Sequence, residues 1–123
     1  MPPTAPYVLI DDATVHNGAL LFANPREVLT CTHPQDAAAV LAKIDQALSD
    51  GHHVAGYLAY ELGYVLEPKL APLLPPLRDG PLIWMGVFDA PQRVGADLFE
   101  VWATEPHSVG DVRPLLERDT YIR

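Results

Sequence analysis

Apolar and polar positions along the chain mark out a series of short elements. The run Tyr7-Val8-Leu9-Ile10 is stopped by Asp11-Asp12 and predicts a strand; His16-Asn17-Gly18 is turn chemistry, and Ala19-Leu20-Leu21-Phe22 predicts a second strand beyond it. Asn24-Pro25 punctuates again before Glu27 to Thr32, a stretch rich in β-formers and the third expected strand. The period then changes. Ala37, Val40, Leu41, Ile44, Ala47 and Leu48 recur at helical spacing, with Lys43, Asp45 and Gln46 on the other side. Pro34 suits the first turn of such a helix, Thr32 or His33 can cap it, and Gly51 is its natural stop.

The segment Val54 to Tyr60 is apolar on both alternations, which predicts a strand buried on both faces. Glu61 to Leu66 reads as a short helix closed by Pro68, and the four prolines between Pro72 and Pro81 mark a loop. Leu82 to Phe88 is a further strand without a polar residue. Asp97 to Thr104 alternates like a half-exposed strand beyond a turn at Pro91 to Ala96, so the two are expected to form an antiparallel hairpin. Asp119-Thr120-Tyr121 looks like a helix start. The fold class that follows is α+β: a mainly antiparallel sheet with one long amphipathic helix and a short helix packed on it.

Composition narrows the function classes. With 123 residues, 49% of them hydrophobic and 20% charged, the chain has the balance of one globular domain. The net charge of −8 is spread along the sequence and the eight basic residues form no patch, which argues against nucleic acid as a ligand. No apolar run approaches the roughly 20 residues that a membrane-spanning helix needs. A single cysteine, Cys31, and no leader-like start point to a reducing, cytoplasmic setting.

Candidate chemistry is sparse. His52-His53 with Glu61 are metal-ligand types, but neighbours on a strand point to opposite faces and cannot chelate one ion. The same divergence separates the carboxylates of Asp11 and Asp12, which read better as turn residues. Cys31, among β-formers, reads as a small buried hydrophobe instead of a nucleophile. The segment Gly56 to Gly63 lacks the glycine spacing of a dinucleotide fingerprint and the Lys-Ser/Thr of a phosphate loop. No catalytic residue, cofactor site or metal site is therefore expected in this chain.

One group of motifs goes further. Gly56-Tyr57-Leu58-Ala59-Tyr60-Glu61 resembles the G-[FY]-[LI]-x-Y-[ED] segment near the N-terminus of the chorismate-utilising amination enzymes, anthranilate synthase component I and aminodeoxychorismate synthase component I. Upstream, Leu9-Ile10-Asp11-Asp12-Ala13 is similar to a Leu-Leu-Asp-Ser-Ala element, and Leu20-Leu21-Phe22 to a phenylalanine-bearing strand. Downstream, Pro81-Leu82-Ile83-Trp84-Met85-Gly86-Val87-Phe88 resembles a Pro-Leu-x-Trp-x-Gly-x-[FY] element. The resemblance runs from Tyr7 to Arg123, and the continuation Glu61-Leu62-Gly63-Tyr64-Val65-Leu66-Glu67-Pro68 favours the aminodeoxychorismate branch.

Three prolines make residues 1–6 an extended lead-in, and the resemblance implies 7–105 as an anthranilate synthase component I-like N-terminal domain and 106–123 as a linker and the start of a chorismate-binding catalytic domain. The chain is then expected to be a cut piece of a longer enzyme and not catalytic by itself. Its implied partners are that C-terminal domain, which would carry the Mg²⁺ ligands, and a glutamine amidotransferase subunit; an isolated piece with the Trp84 and Tyr57 strands uncovered is expected to self-associate. The family also implies a tryptophan pocket, whose positions here are Leu9, Asp12, Leu20 and Phe22. Asp12 stands where serine is usual, and Ala19 to Phe22 has no arginine, two departures from the family's pocket. A small-molecule binding or regulatory module, or the N-terminal domain of an anthranilate synthase, are the alternatives.

Overall fold

The computed structural model describes residues 3–11, 18–95, 106, 108–114, 116 and 118–122. The chain is α+β, with two antiparallel sheets of three strands among the described residues. The first contains β1 (Val8–Asp11), β2 (Ala19–Phe22) and β6 (Gln92–Val94), in the order β1-β2-β6. The second contains β3 (Glu27–Cys31), β4 (His53–Leu58) and β5 (Ile83–Phe88), in the order β3-β5-β4. The turn before β3 carries Asn24 in the left-handed region, at φ 55°, a conformation that asparagine tolerates.

Between β3 and β4 runs α1 (Ala37–Ser49), preceded by a 3-10 turn at Pro34–Asp36. Neither Thr32 nor His33 caps α1: His33 precedes the 3-10 turn without a side-chain bond to it, and Asp36, which takes the cap position of α1, makes none either. Pro34 tightens the entry into 3-10 geometry, and α1 begins three residues later than the proline. The other end is closed as the glycine requires. Gly51 sits at φ 85°, its N–H donates to Leu48, and the His52 N–H donates to Ala47, a Schellman closure of the last turn.

Residues opposite each other on adjacent strands share a face, so the register divides the second sheet cleanly. Leu29 and Cys31 of β3, Ile83, Met85 and Val87 of β5, and Val54 of β4 lie on one side. That side meets Ala37, Val40, Ile44 and Ala47 of α1, and the cluster extends to Leu62 of the short helix α2 (Leu62–Leu66). On the other side, Phe88 and Ala55 pack against Phe22, Val8 and Leu20 of the first sheet. The rings of Phe22 and Phe88 meet at a centroid distance of 5.6 Å, tilted by 56°, within the range aromatic pairs favour.

Two expectations are corrected. The strand at Val54 to Tyr60 is not buried on both faces: β4 is an edge strand in which Ala55 alone is buried, and Tyr57 and Leu58 are 46% and 52% exposed. The central place goes to β5, because an equally apolar run can occupy either position and hydrophobicity does not distinguish them. Gln92–Val94, expected as a turn, is a strand that pairs with β2. Both edges of β5 are taken by β3 and β4, and the chain then steps from the second sheet to β6 of the first; the second strand of the expected hairpin is not among the described residues. The strand expected at Asp97 to Thr104 lies outside the described residues. Near the end of the chain, α3 (Arg118–Ile122) is helical where a helix start is expected. No helix of the described residues is long and apolar enough to cross a membrane.

Candidate functional site

The motif segments Gly56 to Glu61 and Pro81 to Phe88, separated in sequence by residues 62–80, are neighbours in space. β4 and β5 form one antiparallel ladder with Gly56 opposite Met85 and Tyr57 opposite Trp84, and the Ala59 N–H prolongs it by donating to Leu82 at 2.8 Å. Gly56 has a packing reason to be glycine. A Cβ there would collide with the Trp84 carbonyl oxygen and approach the Met85 Cα to 2.9 Å. Beyond Ala59 the chain turns into α2, where the rings of Tyr60 and Tyr64 meet edge to face at 6.4 Å; Tyr60 is otherwise almost wholly exposed.

Beside the end of this ladder lies an open cavity of about 310 Å³. Tyr57, Ala59 and Glu61 form one wall, and the loop from Pro75 to Pro81 forms the other. Arg78 holds that loop in place, with one terminal nitrogen donating to the Pro75 carbonyl at 2.7 Å and the other to the Thr32 carbonyl at 2.8 Å. The guanidinium therefore ties the proline loop to the end of β3. Its Nε is buried and has no hydrogen-bond partner among the described residues, so this atom is shielded from anything entering the cavity. The walls offer the carboxylates of Glu61 and Asp79 and the Tyr57 hydroxyl, with no Ser, Thr, Cys, His or Lys among the described lining residues.

A second cavity, about 420 Å³, lies between the C-terminal part of α1 and β3, lined by Arg26, Glu27, Lys43, Gln46, Asp50 and His52 among others. Its charges are partly engaged: Arg26 pairs with Asp89 at 2.7 Å and Gln46 donates to Asp50 at 2.9 Å.

The residues expected in a tryptophan pocket do not share one face. Leu20 and Phe22 point into the core between the sheets, whereas Leu9, opposite Leu21, lies on the other side of the first sheet. Asp12 lies outside the described residues. Cys31 is buried, and its thiol donates to the His33 carbonyl at 3.1 Å. Burial first, and then the Asp36 carboxylate, push its pKa above the ordinary 9.0, with Arg78 opposing; this environment favours the thiol over the thiolate. His53 is exposed on β4 and His52 lies in the preceding turn. Among the described residues, no group of three or more His, Cys, Asp or Glu could hold a metal ion.

Sequence patterns missed Arg78. Its partners are a carbonyl three residues away and another 46 residues away, and a main-chain acceptor leaves no mark on residue type. No family model, curated protein or solved structure matches the chain.

Proposed function

We propose that this chain is the N-terminal, non-catalytic domain of an aminodeoxychorismate synthase component I. One observation carries the proposal: the two segments that resemble the family most, Gly56 to Glu61 and Pro81 to Phe88, lie side by side with Gly56 fitted against the Trp84 carbonyl. Motif residues gathered into one ladder have a common structural reason for their identities.

In the intact enzyme, ammonia replaces the 4-hydroxyl of chorismate and water leaves, giving 4-amino-4-deoxychorismate for p-aminobenzoate and folate. The chorismate pocket and its Mg²⁺ belong to the C-terminal domain, and a glutamine amidotransferase subunit supplies the ammonia. The segment 7–105 acts as scaffold and contributes part of the interdomain surface. In this domain α1 is the long amphipathic helix on the sheet and α2 the short one beside it. The cytoplasm is the compartment where chorismate and the amidotransferase would meet it.

Genetic complementation tests the assignment. The full-length gene that encodes this chain should restore growth of a p-aminobenzoate auxotroph, and deletion of the codons for 7–105 should abolish the rescue. Rescue of a tryptophan auxotroph lacking anthranilate synthase, with none of the p-aminobenzoate auxotroph, would move the chain to the anthranilate branch. Failure in both hosts with the protein expressed and soluble would overturn the proposal.

A further inference from the structure

We draw no further inference here: the strongest candidate, the row Thr30, Trp84 and Tyr57 on the face of the second sheet turned away from α1, is a partly exposed aromatic surface, and nothing in the structure shows what covers it.

Discussion

A methyl group at Gly56 would run into the Trp84 carbonyl, and main chain held in a ladder cannot step aside as a flexible side chain would. Gly56→Ala is therefore expected to lower unfolding stability by about 1–3 kcal/mol, the usual cost of overpacking. Urea denaturation with an unchanged midpoint would show that the two strands part more easily than the register implies. Cys31 gives a pH-dependent prediction. Its pKa in the folded chain lies above the 9.0 of the unfolded one, so the folded state holds the proton more tightly. The resulting stabilisation is fully present below pH 9 and is lost as the pH rises through the folded-state value. Compared with Cys31→Ala, the wild-type advantage in urea should shrink above pH 9; an advantage that grew with pH would contradict the burial argument. The exposed Arg26–Asp89 pair, by contrast, should matter little, and Arg26→Ala is expected to change stability by less than about 1 kcal/mol.

Elements differ in how far sequence pattern alone identifies them. The period of Val40, Leu41, Ile44 and Ala47 reports a single helix face, and Gly51 closes α1 as its left-handed conformation predicts. Gly51→Ala should thus cost roughly 1 kcal/mol, the penalty for an L-residue in that conformation, readable as a lower thermal midpoint. Strands are harder to place because pairing is non-local. The runs at Val54 and at Ile83 look alike, yet one is an edge and the other a centre, and only the order β3-β5-β4 decides between them. β6 was illegible for the same cause: three residues, Gln92 to Val94, carry no strand signal and gain their conformation from β2. Of the candidate site, Gly56 and Tyr57 stand out in the sequence only within the motif that resembles the family, and their places opposite Met85 and Trp84 are not visible there. The tie from Arg78 to Thr32 and Pro75 was not legible either, since any carbonyl can accept it. Removing that tie in Arg78→Ala should leave the sheets intact but speed subtilisin cleavage within Pro75 to Pro81; an unchanged cleavage rate would mean the prolines alone hold the loop.

Among the described residues, the two sheets meet in a contact region around Phe88. Phe88, fully buried, joins β5 to Phe22, Val8 and Leu20 of the first sheet, while the opposite side of β5 supports α1. Phe88→Ala should cost about 3–5 kcal/mol, the range for emptying a buried aromatic site. For a domain with a typical total of roughly 5–15 kcal/mol, that brings the fold near its limit. At this scale the functional assignment also has its sharpest test. The intact gene product, purified and given chorismate, ammonium and Mg²⁺, should consume chorismate and yield 4-amino-4-deoxychorismate, detected as p-aminobenzoate once a lyase is added. Formation of anthranilate in its place, or chorismate left untouched by the folded protein, would contradict the assignment.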